Sequence, residues 1–179
     1  MKALKNLGYA LALVVLALAL VALYLPSSVA VERRLTIAAA PEALFPLLDG
    51  APSFARWSPW LIPGSGVRQT LGGPASGVGS SLQWEGGAFP MGSGRYEVPE
   101  IDAQRRVGLR LHLPLLGKTH ASFELYAASA PGSTEIAWRL DDEVGFNLPR
   151  RLLWLLADLA LGPQLERGLD NLRALAASR

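Results

Sequence analysis

The chain has no cysteine. Disulfides, thiolate metal sites and cysteine nucleophiles are therefore excluded. It has two histidines, His112 and His120, and no third metal-ligating side chain is spaced near either. A catalytic or metal site needs groups that converge, so both read as surface or structural histidines and no metal or cofactor is expected. Acidic residues are missing from the first 31 positions, where Lys2 and Lys5 are the only charges. Setting those two aside leaves 15 basic residues (17 less 2) against 15 acidic ones. The rest of the chain is thus neutral by formal charge, and the pI near 9.2 overstates its basicity. No basic stripe exists to follow a phosphate backbone, which argues against nucleic acid as a partner.

What the N-terminus does have is an apolar run. Leu7 to Leu25 is 19 residues, almost all Leu, Ala and Val, inside an uncharged stretch from Asn6 to Val31. As a helix it spans about 28 Å, close to the hydrocarbon core of about 30 Å. Tyr9 and Tyr24 sit near its ends, where aromatic belts form, and Pro26 ends it. A cleaved signal peptide is the alternative, because Ser28-Val29-Ala30 resembles a small-x-small cleavage site. The run is longer than the apolar region of such peptides, so residues 1–30 read as a single-pass membrane anchor and residues 31–179 as one domain. Lys2 and Lys5 favour an N-inside orientation with the domain outside the cytoplasm. Arg33 and Arg34 oppose it, partly offset by Glu32.

Beyond the anchor the chain alternates. In Val31 to Ile37, Val31, Leu35 and Ile37 face one way and Glu32, Arg34 and Thr36 the other, with Arg33 the exception. Pro41 to Asp49 reads as a short helix that Pro46 must kink or shorten. Ala51 to Trp60 offers a second helix and an aromatic corner of Phe54, Trp57 and Trp60. Alternating segments follow at 67–71, 80–85, 94–100, 106–113, 121–127 and 135–140. They turn Leu82, Trp84, Tyr96, Leu109, Leu111, Phe123 and Trp138 to one side, while Arg95, Arg110, His112 and Arg139 take the other. Pro131-Gly132-Ser133 is a turn. Repeated one-faced alternation predicts an antiparallel sheet with a dry and a wet face. The order of strand, two short helices, about six strands and a long helix is an α+β arrangement.

The last segment, Asn147 to Arg179, predicts that long helix, with Asn147 as N-cap and Pro149 in the first turn. Leu165, Leu169, Leu172 and Ala176 share one face, and Glu166, Arg167, Asp170 and Arg173 the other. Leu152 to Leu161 is apolar almost all round, with Asp158 its only charge, and needs a broad apolar surface, which the sheet is expected to supply. Gly162-Pro163 predicts a bend or break.

Several motifs carry little chemistry. Gly117-Lys118-Thr119 ends like a phosphate loop but finds His112 where the pattern needs glycine. Asp141-Asp142-Glu143 lacks the alternating ligands and sharp glycine turn of a calcium loop and reads as a solvated turn. Asp158 reads from its position as buried or membrane-near, and with no second titratable partner identifiable it is a polar contact or a water-facing edge rather than a catalytic acid.

Trp57-Ser58-Pro59-Trp60, Gly77-Val78-Gly79, Trp84-Glu85-Gly86, Gly92-Ser93-Gly94, Thr134-Glu135-Ile136-Ala137-Trp138 and the helix Leu165 to Leu172 together carry a family likeness. The chain resembles the START-like, polyketide-cyclase-type (SRPBCC) superfamily, specifically its small bacterial members with one N-terminal membrane helix. The resemblance spans about Val31 to Ala177. It implies a helix-grip fold, in which a curved sheet of six to seven strands grips the C-terminal helix, and a cavity between them for a lipid-like or other hydrophobic small molecule. It also implies a place in the bacterial inner membrane. Trp57, Trp60, Leu82, Trp84, Tyr96, Leu109, Leu111, Phe123, Trp138, Leu153 and Leu156 are the implied cavity lining. Phe89, Pro90, Met91 and Trp154 are the expected gate or membrane contact, since basic Arg150-Arg151 beside a Trp/Leu-rich helix suits an interface. No catalytic residue is assigned. The alternatives are a cyclase or aromatase acting in that cavity, and an interaction module with a closed core.

Overall fold

The computed structural model describes residues 28–61, 66–86, 92–114, 116–145 and 147–178, together with Asn6, Gly8, Tyr9 and Leu13. In chain order the elements are β1 (Ser28–Ile37), α1 (Pro41–Leu48), α2 (Ala51–Trp57), β2 (Arg68–Gly72), β3 (Ser81–Glu85), β4 (Ser93–Asp102), β5 (Arg106–Leu113), β6 (Gly117–Ala127), β7 (Thr134–Glu143) and α3 (Leu148–Ala177). The seven strands form one antiparallel sheet in the order β1-β7-β6-β5-β4-β3-β2. Among the described residues no helix is long and apolar enough to cross a membrane. The expected anchor, residues 7–25, and the tip Phe89-Pro90-Met91 fall almost wholly outside the described residues.

Alternation decides the sheet's faces. Trp84, Tyr96, Leu111, Phe123 and Trp138 are fully buried. The other face is laced by exposed cross-strand ion pairs such as Arg34–Glu135 at 3.0 Å and Arg110–Glu97 at 3.4 Å. β2 is the exception: all five of its residues are exposed, so this edge strand adds hydrogen bonds and no core. β4 curves the sheet through a register shift between Glu97 and Glu100, where Pro99 sits. Proline donates no ladder hydrogen bond, and a bulge is where a sheet tolerates it. β1 starts at Ser28, ahead of its expected start at Val31, and pairs residue for residue with β7. Asp141-Asp142-Glu143 is therefore the paired end of β7, not a solvated turn.

α3 lies against β1 and the sheet interior. Leu161, Leu165, Leu169 and Leu172 are buried, and Glu166, Arg167, Asp170 and Arg173 are exposed. Two expectations are corrected. The break allowed for at Gly162-Pro163 does not occur, and one helix runs from Leu148 to Ala177. Pro163 removes the donor to the Leu159 carbonyl, but both residues are exposed, so solvent replaces it. The sheet also takes only one face of the apolar half, because Leu152, Leu156 and Leu159 point outward.

Arg33 breaks the β1 alternation because it serves the helix. Its guanidinium donates to Asp158 at 2.8 Å and to Glu166 at 2.6 Å, across Gly162. Asp158 is thus a polar contact with Arg33 as its partner, and it is exposed rather than buried as its position suggested.

Asp49 closes α1, its N–H donating to the Phe45 carbonyl at 3.1 Å. Burial raises its carboxyl pKa above the ordinary value. A carboxyl raised in the folded state contributes stability below its unfolded pKa of about 3.9 and loses it as pH rises through the folded value. The negative end of the α1 dipole acts in the same direction. Asp49→Asn is expected to raise stability by about 0.5 kcal/mol at pH 7 and by nothing at pH 3, read from thermal unfolding at both. An equal gain at both would remove charge as the cause.

Candidate functional site

The interior beneath α3 is aromatic. α2 supplies Phe54 and Trp57, with Trp60 in the turn just after it, and the dry face supplies Trp84, Tyr96, Phe123 and Trp138. Phe54 stacks on Tyr96 at 4.4 Å between ring centroids, and Trp57 meets Trp138 edge-on at 5.4 Å. Trp60 stacks on Trp84 at 6.0 Å and lies 5.5 Å from Trp138. Leu82, Leu109 and Leu111 are buried in the same cluster. Phe54, which touches five of these rings, was placed in the aromatic corner by sequence but not among the lining residues.

Most polar atoms of this interior are satisfied. The Trp57 indole N–H donates to the Leu47 carbonyl at 2.9 Å, and the Tyr96 hydroxyl donates to the Leu48 carbonyl at 3.3 Å. Burial, with the nearby Asp49 charge, pushes the Tyr96 phenol far above its ordinary range, so it stays protonated. The Asn171 amide donates to the Trp57 carbonyl at 3.0 Å and ties α3 to α2. Two indole donors are different. Among the described residues, the buried N–H groups of Trp60 and Trp138 find no hydrogen-bond partner, nor does the buried Thr119 hydroxyl. An unmet buried donor costs about 1–3 kcal/mol, so these atoms are the ones a polar group of a bound molecule would relieve. Only Trp residues at interior positions are legible in sequence; whether their N–H finds a carbonyl depends on the fold.

The remaining expected lining residues separate. Leu153 is partly buried against the core, whereas Leu156 is 63% exposed and turned away from the interior. Trp154, expected at a gate or membrane surface, is 3% exposed. Its N–H donates to Asp142 at 3.1 Å, and Arg150 pairs with the same carboxylate at 2.6 Å. Arg150 also donates to the Leu116 and Lys118 carbonyls, both at 3.1 Å. The Asn147 side chain caps the helix by accepting from the Arg150 N–H at 3.0 Å. This cluster fastens the start of α3 to the sheet, and every group in it is occupied in that task except the Arg150 Nε.

His112 and His120 are both exposed on the wet face. Among the described residues no group of three His, Asp or Glu side chains is placed to hold a metal ion. Two open grooves of about 350 and 340 Å³ cross the wet face and share Arg95 and His112. A third, of about 170 Å³, runs along the paired ends of β1 and β7.

Comparison with known proteins gives the following. The family model described as "Polyketide cyclase / dehydrase and lipid transport" matches residues 28–177. Truncated norcoclaurine synthase from Thalictrum flavum superposes with a TM-score of 0.63 at 17% identity, covering 85% of this chain and 95% of that one. Norcoclaurine synthase in complex with dopamine and hydroxybenzaldehyde gives 0.60 at 16%, covering 85% and 88%. A protein from Arthrobacter aurescens gives 0.60 at 14%, covering 84% and 87%. At such identities the likeness is one of fold. No curated protein matches the chain.

Proposed function

Because the chain belongs to the polyketide cyclase / dehydrase and lipid transport family, we propose that it binds a hydrophobic, lipid-like small molecule between the sheet and α3 without catalysing a reaction on it. In the same reading residues 7–25 hold it in the bacterial inner membrane as a single pass, with the domain on the extracytoplasmic side. The observation that carries the binding reading is the pair of buried indole donors, Trp60 and Trp138, left without acceptors inside an aromatic interior. Hydrophobic sites commonly combine an apolar lining with a few such polar groups that orient the ligand. Against catalysis stands the titratable group that, among the described residues, turns into the rings: Tyr96, kept protonated by burial and bonded to the Leu48 carbonyl. The cyclase or aromatase reading would need a free acid or base.

Native mass spectrometry on residues 28–179, purified without detergent, tests the binding. The expected result is a bound mass that organic solvent extracts. Trp60→Phe removes one donor and is expected to weaken uptake by up to about tenfold, the worth of one hydrogen bond. A clean apo mass, with no uptake from a mixture of lipids and fatty acids, would favour the closed-core interaction module.

A further inference from the structure

The outward face of α3 changes character halfway along. Leu152, Leu156, Leu159 and Pro163 step by four, three and four, which places them in one stripe. The three leucines are 40%, 63% and 79% exposed. Across the helix, Trp154, Ala157, Leu161 and Leu165 are buried against the domain. Beyond Pro163 the outward positions become Glu166, Arg167, Asp170 and Arg173, all exposed. A surface helix ordinarily turns charge outward along its whole length. Here the second half does and the first half does not. The one acid in the apolar half, Asp158, is neutralised by Arg33 at 2.8 Å, so it presents no unpaired negative charge beside the stripe.

The topology also says what lies nearby. Ser28 pairs with Glu143, and Asn147 caps α3 four residues later, so the chain enters the domain at the end of the sheet where α3 begins. Only Pro26 and Ser27 separate the apolar run at 7–25 from Ser28. Three residue steps cover at most about 11 Å. A bilayer holding that run would therefore lie next to the first turns of α3.

We propose that Leu152, Leu156, Leu159 and Pro163 are a lipid-docking stripe, which lays the first half of α3 into the headgroup–acyl boundary of the membrane that holds the chain's own N-terminal run. This rests on the anchor reading above. An apolar helical face with neutralised charge inserts shallowly into that boundary.

The cysteine-free sequence makes the test clean. Full-length Leu156→Cys, Leu159→Cys and Ala130→Cys are each labelled with an environment-sensitive fluorophore and reconstituted into phosphatidylethanolamine/phosphatidylglycerol vesicles containing doxyl-labelled lipid. All three positions are exposed, so substitution spares the core. Ala130 lies in the β6–β7 turn at the far end of the sheet. The expected result is at least a twofold loss of fluorescence at 156 and 159 and none at 130. Vesicle flotation after an alkaline carbonate wash reads the anchor separately. Chains that float but show no quenching at 156 and 159 overturn the stripe while leaving the anchor standing. Efficient oxidative dimerisation of unlabelled Leu159→Cys, with no lipid quenching, overturns it in favour of a second copy of the chain. Chains that do not float overturn the anchor and the stripe together.

Discussion

Gly168→Ala is expected to destabilise the protein by about 1–2 kcal/mol, the opposite of what the same change does in most helices. Alanine ordinarily improves a helix interior by about 0.5–1 kcal/mol, because glycine loses more backbone entropy on folding. At position 168 a Cβ would stand 2.5 Å from Cζ3 of Trp138 and 3.0 Å from Cδ of Pro59. Neither contact is free to yield. Trp138 is fully buried, and its ring is packed against Phe54, Trp57, Trp60 and Phe123. Overpacking of this kind costs about 1–3 kcal/mol, which outweighs the entropic gain. Gly162→Ala is the control within the same helix. Its Cβ would stand 2.1 Å from Nη2 of Arg33, the far end of a flexible side chain that can swing away. The loss is then the exposed Arg33–Asp158 and Arg33–Glu166 pairs, worth up to about 1 kcal/mol each, offset by the helix gain. Urea unfolding of both variants should rank Gly168→Ala as the less stable of the two. A Gly168→Ala protein as stable as the parent would show that α3 does not approach the sheet this closely.

Asp142→Ala is expected to cost about 2–3 kcal/mol, because it leaves a buried indole donor unmet and removes an ion pair whose arginine is one-third exposed. The carboxylate is 8% exposed and serves two partners at once, Arg150 at 2.6 Å and the Trp154 indole N–H at 3.1 Å. Alanine leaves the indole without an acceptor and strips Arg150 of its counter-charge. Arg150 keeps the Leu116 and Lys118 carbonyls, so the first turn of α3 loosens before the sheet does. Amide hydrogen exchange should therefore speed up first between residues 147 and 157, at denaturant concentrations where β5 to β7 stay protected. Asp142→Asn retains an acceptor for Trp154 and should lose about half as much. If Ala and Asn lose equally little, the cluster would be a surface feature and not the fastening of the helix.

The two substitutions bear on how much of the site was legible beforehand. Strand alternation placed Trp84, Tyr96, Phe123 and Trp138 inside, and the aromatic corner placed Trp57 and Trp60 beside them. Burial with a period of two is a local property of a pleated chain, so it survives in the sequence. The buried stripe Leu165, Leu169 and Leu172 was legible for the same reason, with the helical period in place of the pleat. Arg33 was visible only as an anomaly in β1. Its partners lie 125 and 133 residues away, and no local pattern names them. Leu156 and Trp154 were exchanged in role: the leucine faces outward and the tryptophan inward. In a stretch apolar all round, periodicity cannot say which face meets the core.

The sequence by itself thus determined the α+β order, the antiparallel sheet, the dry face and the terminal helix, because each follows from a local period or a turn residue. The tertiary structure alone decided the rest. It brought α3 down on Trp138 at Gly168, tied Asp142 to Arg150 and Trp154, left the indoles of Trp60 and Trp138 without acceptors, and turned Leu152, Leu156 and Leu159 outward. All of these are distances between parts of the chain far apart in sequence. They are set when the whole core packs at close to crystalline density, and no single segment contains them.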